Sequence, residues 1–214
     1  TRAAANAQKP WAALPPREKA EVFRRAGALF QQHFDELALY ATRETGGILP
    51  KGQHEIREAI TICHLAAAMP LQPQGHVLPS VPGRTSIARR MPHGVVGVIS
   101  PFNFPLILTL RAVAPALAAG NAVVIKPDTR TPVTGGLMIA RIFAEAGLPK
   151  DLLHVLPGDA EAGEALVTDP LVPMIAFTGS PAVGRRIGEL AGKHLKKVSL
   201  ELGGANSLLI LDDA

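Results

Sequence analysis

The sequence predicts an α/β fold in which a doubly wound parallel sheet follows a group of helices. Between residues 94 and 201, short apolar runs alternate with helical segments. Buried strands separated by amphipathic helices are typical of a parallel sheet covered on both faces. Hydrophobic residues make up 47% of the chain and aromatic residues only 4%, so aliphatic side chains must fill the core.

The N-terminal third is predicted to be mainly helical. Val22, Ala26 and Phe30 recur at helical spacing, and Gly46 ends that segment. A stretch rich in proline and glycine then interrupts the helical pattern. In chain order, the predicted elements are a helix over 17–45, a helix over 53–69, a loop over 70–84 and a strand over 85–91.

Five short apolar runs form the predicted sheet, and a helix follows each of the first four. Pro105, Pro132 and Pro181 stand where three of these helices begin, a position that proline favours. The strands cover 94–100, 121–126, 152–156, 174–177 and 197–201, the helices cover 105–119, 132–146, 159–168 and 181–195, and a last short strand covers 207–211.

Charge and cysteine content exclude several classes of protein. The 22 Lys and Arg residues are scattered rather than gathered in a basic stripe, so no nucleic-acid partner is expected. The single cysteine, Cys63, permits no internal disulfide, and the seven histidines lack ligand spacing, so no metal is expected. Without a membrane-length apolar run or a signal peptide, we expect a cytoplasmic protein with no membrane partner.

Polar residues or glycines follow all five strands of the predicted sheet. In a doubly wound sheet, ligands bind beyond the carboxyl ends of the strands, which share one edge. The sequence therefore predicts one ligand crevice at that edge. The five strand exits are 100–105, 126–129, 157–159, 178–180 and 201–204.

Several exit residues suit a dinucleotide. Ser180 can cap a helix whose free N–H groups and dipole favour a phosphate, and Gly179 permits close approach of a ligand. Lys126 can hydrogen-bond a ribose or a phosphate, and Gly158 and Gly163 flank the start of another helix. Each also has a structural interpretation, as a helix cap, a solvated lysine or a turn glycine. The dinucleotide fingerprint G-x-G-x-x-G occurs nowhere.

Two further exit residues suit catalysis. Asn103 lies between two aromatic residues, and its side-chain amide could donate to a developing oxyanion. Glu201 ends a strand and stands close to two glycines, where a carboxylate could act as a general base. The structural alternatives are an asparagine that satisfies turn backbone and a solvated turn glutamate.

Four ordered motifs resemble the aldehyde dehydrogenase superfamily. They are Ser-Pro-Phe-Asn-Phe-Pro at 100–105, Lys-Pro at 126–127, Phe-Thr-Gly-Ser at 177–180 and Glu-Leu-Gly-Gly at 201–204. Residues 10–27 resemble an early helix of the family, so the resemblance covers essentially the whole chain. It implies an NAD(P)-dependent oxidoreductase that converts an aldehyde into a carboxylic acid through a cysteine thioester.

The resemblance assigns roles to residues of this chain. Asn103 would help hold the oxyanion, Glu201 would activate the hydrolytic water, and Lys126 would bind the adenosine ribose of NAD or NADP. A homodimer or homotetramer is the expected full-length assembly. The other residues predicted at the cofactor site are Ser100, Pro101, Phe102, Asp128, Thr129, Gly158, Gly163, Phe177, Thr178, Gly179, Ser180, Val183, Gly184, Leu202 and Gly203.

The chain departs from the family pattern in three respects. Phe102 stands where the family usually has tryptophan. Thr129 replaces a ribose-binding glutamate of many NAD-preferring members, which removes a repulsion against the 2′-phosphate of NADP, so we hypothesise use of both cofactors. Cys63 does not match the position of the family's nucleophile. We therefore expect residues 1–214 to be an incomplete N-terminal cofactor-binding domain that lacks the catalytic domain and is inactive alone.

Two alternative functions stay open at the level of sequence. One is a CoA-acylating relative, a type that often lacks the general-base glutamate, so Glu201 counts against it. The other is a dinucleotide-binding module without catalysis. For the substrate, segments 89–105 and 126–128 resemble aromatic-aldehyde members of the family, such as benzaldehyde dehydrogenases.

Overall fold

The computed structural model describes residues 1–213 and confirms the predicted α/β class. The helices of this part of the chain are α1 (Arg2–Ala13), α2 (Pro16–Gln32), α3 (Phe34–Thr45), α4 (Leu49–Ala68), α5 (Pro105–Ala118), α6 (Met138–Glu145), α7 (Ala160–Thr168) and α8 (Pro181–Lys193). The strands are β1 (Gly75–Leu78), β2 (Ser86–Arg89), β3 (Val95–Ile99), β4 (Ala122–Lys126), β5 (Leu153–Val155), β6 (Met174–Gly179) and β7 (Lys197–Leu202).

Five strands form a parallel sheet in the order β5-β4-β3-β6-β7. The chain winds outward from β3 through β4 to β5, then crosses to the other side of β3 and continues through β6 to β7. This is the doubly wound topology that the sequence predicts. All five carboxyl ends lie along one edge, so the five strand exits do share an edge.

Helices cover the two faces of the sheet. Val96 and Val98 of β3 line the same face as α5, which packs on β3 and β4. Gly97 presents the opposite face, where a Cβ atom would lie 3.1 Å from Cγ of Leu166 in α7. α8 packs on β6 and β7. The alternation of side chains along β3 therefore separates the two helical layers.

The N-terminal helices are tied to the sheet domain by buried contacts. Trp11 of α1 is buried, and its indole N–H donates to the carbonyl oxygen of Leu117 at 2.8 Å. The rings of Phe23 in α2 and Phe143 in α6 meet edge to face at 5.7 Å between centroids. The apolar core therefore runs from the N-terminal helices into the sheet.

Two helical predictions differ from the structure near the N-terminus. The expected helix over 17–45 is divided at His33, whose φ of −101° and ψ of 21° end α2 and start α3. Both helices pack against α4, and the break lets each of them do so. The sequence analysis did not predict α1, which contains Pro10, and a proline inside a segment usually counts against a helix.

Other boundaries are also corrected. The expected loop over 70–84 contains β1, which pairs antiparallel with β2 in a separate two-stranded sheet. The helix expected over 132–146 begins as a π-helical turn, Val133–Leu137. The strand expected over 207–211 is wrong, because that segment has no strand neighbour among the described residues and its leucines are exposed. No helix in residues 1–213 is both long and apolar enough to cross a bilayer.

Candidate active site at the carboxyl edge of the sheet

Ser100 joins the exits of β3 and β4. Its backbone N–H donates to the carbonyl oxygen of Lys126 at 3.3 Å, which continues the strand pairing beyond β3. Its side chain is buried, and within residues 1–213 the hydroxyl has no hydrogen-bond partner. A buried polar atom without a partner is costly, so this hydroxyl suits a site that a polar ligand completes.

Asn103 lies in the turn between β3 and α5. Its side chain is exposed and makes no hydrogen bond to any described residue. Phe102 before it is 43% exposed, and Phe104 after it is half-buried. The amide of Asn103 is therefore available to a ligand at this edge, as an oxyanion donor must be.

The exit of β4 carries an ion pair that the sequence analysis missed. Arg130 donates from Nε to one carboxylate oxygen of Asp128 at 2.8 Å and from a terminal nitrogen to the other at 2.9 Å. These hydrogen bonds hold the pKa of Asp128 below its ordinary value. The pair therefore persists at neutral pH and is lost as the pH falls through that lowered pKa. Thr129, between them, is exposed.

A cleft of about 370 Å³ opens between α7 and α8. Ile99, Val167 and Ile187 contribute apolar walls, and Lys126 contributes a cation. A Cβ atom on Gly163 would point into this space, 3.8 Å from Cδ of Lys126, so glycine keeps the cleft wide. Arg186 and Glu164 also line the cleft and pair with each other at 3.1 Å. Apolar walls beside Lys126 suit a heteroaromatic base with its ribose, so this cleft fits the adenosine part of a dinucleotide.

The start of α8 has the features of an anion site. Ser180 caps the helix, and its hydroxyl oxygen accepts the backbone N–H of Val183 at 3.4 Å. Pro181 occupies the first turn, where the missing N–H costs nothing. Val183 also lines the α7–α8 cleft. A phosphate bound at this helix start would lie next to that cleft.

Several glycines predicted at the cofactor site make close packing contacts. A Cβ atom on Gly179 would lie 2.5 Å from Cζ of Phe177, and one on Gly184 would overlap the side chain of Leu202. A Cβ atom on Gly203 would only touch Pro181, at 3.4 Å. The Gly184 contact lets α8 approach β7. Gly158, before α7, is close to Ala162.

A second cavity, of about 540 Å³, lies on the α5 face of β6 and β7. It is lined by Phe177, Thr178 and Glu201, among others. Arg111 of α5 approaches the carboxylate of Glu201 at 3.2 Å, and both side chains are partly exposed. A charge-assisted contact of this kind orients the carboxylate toward the cavity.

Some of the predicted residues line two cavities, which lie on opposite faces of the sheet. Lys126, Gly163 and Val183 line the α7–α8 cleft, whereas Thr178 and Glu201 line the α5-side cavity. β6 alone separates β3 from β7, so the exits that carry Asn103 and Glu201 lie about 10 Å apart, two strand spacings.

Sequence reasoning missed Arg111 and Arg130. Arg111 stands two helical turns after Phe104, so it shares a face with the start of α5. Arg130 follows Asp128 by two residues, the spacing of an Asx turn. Each spacing was a usable signal. Among the described residues, no three histidine, cysteine or acidic side chains gather as a metal site would require.

Comparison with known proteins identifies one family that matches the whole chain. The profile of the aldehyde dehydrogenase family matches residues 1–214. A vanillin dehydrogenase of Amycolatopsis sp. is 57% identical over 99% of this chain and 43% of its own length. A benzaldehyde dehydrogenase of Pseudomonas putida, named for NAD(+), is 52% identical over 99% of this chain and 44% of its own length.

A solved structure gives the same result at the level of fold. The crystal structure of an NAD-dependent benzaldehyde dehydrogenase from Corynebacterium glutamicum superposes with a TM-score of 0.90 at 46% identity. The matched region covers 94% of this chain and 44% of the chain in that crystal structure. The present chain therefore spans less than half the length of these relatives. The family profile matches from the first residue to the last, and the fold is shared with that crystal structure. The chain therefore belongs to the aldehyde dehydrogenase family.

Proposed function

We propose that the protein containing these 214 residues oxidises an aldehyde to a carboxylic acid with NAD or NADP. The observation that carries the proposal is the common carboxyl edge of the parallel sheet, along which the strand exits with Asn103, Lys126 and Glu201 lie. Membership of the aldehyde dehydrogenase family supports it. An oxyanion donor, a carboxylate base and a dinucleotide cleft are the groups that such a reaction needs.

Each group has a defined task in this proposal. NAD or NADP, when bound, would supply the hydride acceptor for the oxidation. Lys126 and the start of α8 hold the adenosine and phosphate parts in place. Asn103 donates its amide hydrogen to the carbonyl oxygen as negative charge develops there. Glu201 removes a proton from the water that hydrolyses the acyl-enzyme.

The nucleophile in this proposal is a cysteine outside residues 1–214. Cys63 is fully buried in α4, and burial raises the pKa of its thiol to about 12. A protonated thiol in the core cannot attack an aldehyde. A separate catalytic domain would complete the enzyme, so residues 1–214 form its cofactor-binding part and are inactive alone.

Aromatic aldehydes are the proposed substrate class. The vanillin and benzaldehyde dehydrogenases that match almost the whole chain are named for such substrates. The finer proposals are a homodimeric or homotetrameric assembly and a cytoplasmic location.

Both cofactors are proposed to work. Thr129 offers no carboxylate to the ribose, and the charge of Asp128 is compensated by Arg130. Little repulsion therefore meets a 2′-phosphate at this exit. We expect the ratio of kcat/KM for NAD to kcat/KM for NADP to stay within about a hundredfold, less than 3 kcal/mol of discrimination. A thousandfold preference either way would contradict mixed use.

The full-length protein tests the proposed reaction. In steady-state assays of reduced-cofactor formation, kcat/KM should be higher with benzaldehyde and vanillin than with acetaldehyde. Glu201→Gln should lower kcat about 10²-fold or more while keeping a first-turnover burst of reduced cofactor, because only hydrolysis needs the base. Asn103→Ala should lower the burst rate itself, by about 10²-fold.

The same assays separate the alternatives. Turnover that depends on added CoA and survives Glu201→Gln would indicate a CoA-acylating enzyme. Cofactor binding without turnover of any aldehyde would indicate a non-catalytic module. A clear preference for acetaldehyde would contradict only the proposed substrate class.

A further inference from the structure

The turn that carries Asn103 has few backbone hydrogen bonds of its own. Strand pairing ends at the Ser100 N–H, and helical bonding begins with the Leu108 N–H, which donates to the carbonyl oxygen of Phe104. Within residues 1–213, the N–H groups of Phe102, Asn103 and Phe104 donate no backbone hydrogen bond. The position of the turn therefore depends on what its side chains contact.

On the C-terminal side of the turn, the anchor is buried. Glu55 of α4 is fully buried, and one carboxylate oxygen accepts the Leu106 N–H at 2.9 Å. The other oxygen accepts from Nζ of Lys51 at 2.6 Å. The same ammonium lies 4.5 Å from the ring centroid of Phe104, and the ring of His54 meets that ring edge to face. Phe104 is thus fixed from α4.

On the N-terminal side of Asn103, Arg130 contacts the ring of Phe102. Its guanidinium carbon lies 3.4 Å from the ring centroid of Phe102, so the two planar groups stack closely. Asp128 holds the guanidinium through a two-point hydrogen bond and also accepts the Arg130 backbone N–H at 3.0 Å. These hydrogen bonds fix the orientation of Arg130 independently of its contact with the ring of Phe102.

We propose that Arg130 is a positioning residue for Asn103. Stacked on Phe102, it holds the side of the turn that α4 does not reach, and so sets where the Asn103 amide points. The inference rests on the proposed function, because it assumes that the Asn103 amide serves the reaction. Arg130 acts through Phe102 and does not contact substrate. A lysine could not replace it, because an ammonium offers neither the flat stacking surface nor the two-point hydrogen bond.

Four variants of the full-length protein test the proposal through catalysis: Arg130→Met, Arg130→Lys, Phe102→Leu and the double variant Arg130→Met with Phe102→Leu. Each should lower the first-turnover rate of aldehyde oxidation by roughly fivefold to tenfold, because small displacements of a positioned group slow the reaction. KM for NAD should not change in the Arg130 variants, whereas KM for NADP should rise in Arg130→Met, because Asp128 then lacks its compensating charge. The double variant should be no slower than the slower single variant, because both remove the same contact.

Two matched controls accompany these variants. Phe102→Trp keeps an aromatic face for Arg130, so its first-turnover rate should fall less than that of Phe102→Leu. Arg24→Met removes another exposed arginine that is paired with a carboxylate, Glu21, on the distant helix α2. It should leave every kinetic constant unchanged. A fall with Arg24→Met equal to that with Arg130→Met would overturn the proposal.

A second measurement does not depend on activity. Chymotrypsin should cleave after Phe102 faster in Arg130→Met than in the wild type, because the turn opens more often once its contact with Arg130 is lost. Unchanged cleavage in the turn overturns the positioning role, whether or not the enzyme turns over. An effect confined to KM for NAD, or additive effects of Arg130→Met and Phe102→Leu on the first-turnover rate, also overturns it. If cleavage is faster in Arg130→Met and the wild type oxidises no aldehyde, the proposed function is refuted instead.

Discussion

Cys63 lies in α4 at the contact with α2. A Cβ atom on Gly27 of α2 would lie 3.4 Å from the Cβ atom of Cys63, so the two helices meet closely here. The thiol is fully buried, and burial raises its pKa to about 12. Because the thiolate is the reactive form, this cysteine is inert at neutral pH in the folded protein.

Alkylation of the native protein tests the state of Cys63. Iodoacetamide at pH 8 should leave the peptide containing Cys63 unmodified, and the same reagent in denaturing urea should modify it fully, as measured by mass spectrometry. Cys63→Ala should lower the free energy of unfolding by about 1 kcal/mol through a small cavity. It should leave aldehyde oxidation unchanged. Loss of oxidation in a folded Cys63→Ala protein would make Cys63 part of the catalytic machinery after all.

At the residue scale, the site residues in strand-exit motifs could be predicted from the sequence, but the arginines that contact them could not. Asn103, Lys126 and Glu201 follow recognisable strands, so their shared edge could be predicted. Arg111 and Arg130 act across space, on Glu201 and on the ring of Phe102. Those contacts depend on the exact placement of α5 and of the β4 exit, which periodicity does not define.

At the scale of elements, the close crossing of α3 and α4 depends on one glycine. A Cβ atom on Gly52 would overlap the backbone carbonyl oxygen of Ala38, and would lie 2.5 Å from Oγ1 of Thr42. Backbone atoms cannot move aside as a flexible side chain can. Gly52 therefore allows α4 to approach α3, and α4 in turn supports the Asn103 turn through Glu55.

Gly52→Ala should lower the free energy of unfolding by about 3 kcal/mol, as expected for overpacking against rigid backbone. Urea denaturation followed by circular dichroism would measure it. Gly192→Ala is the matched control, because its added Cβ atom meets nothing within 4 Å in the helix α8. That change should be neutral or stabilise by about 0.5 kcal/mol. Equal effects of the two substitutions would show that helix propensity alone, and not the crossing, governs Gly52.

Some element boundaries could not be predicted for physical reasons. The break at His33 arises because both α2 and α3 pack on α4, a tertiary demand that outweighs the continuous helical pattern. The π-helical turn before α6 has an external cause of the same kind. Glu44 of α3 accepts the N–H groups of Val133 at 2.8 Å and Thr134 at 2.6 Å, and neither partner is near it in sequence.

At the scale of the whole molecule, the alternation of apolar runs and helices was sufficient to predict the sheet and its common edge. The segment 207–211 shows the limit of that approach. It has the apolar pattern of a strand, but a strand also needs a neighbour, and none lies beside it within residues 1–213. The order of the strands, with β3 at the centre, likewise followed only from the structure.

That central position of β3 has a consequence for synthesis on the ribosome. β4 is made first after β3 and can pair on one side, whereas the partner for the other side, β6, is made only after β5. At about 5–20 residues per second, the delay between β3 and β6 lasts several seconds. Throughout it, the nascent half-sheet presents an open apolar edge to neighbouring chains. The rate of translation therefore helps to determine how much of this protein reaches its native state.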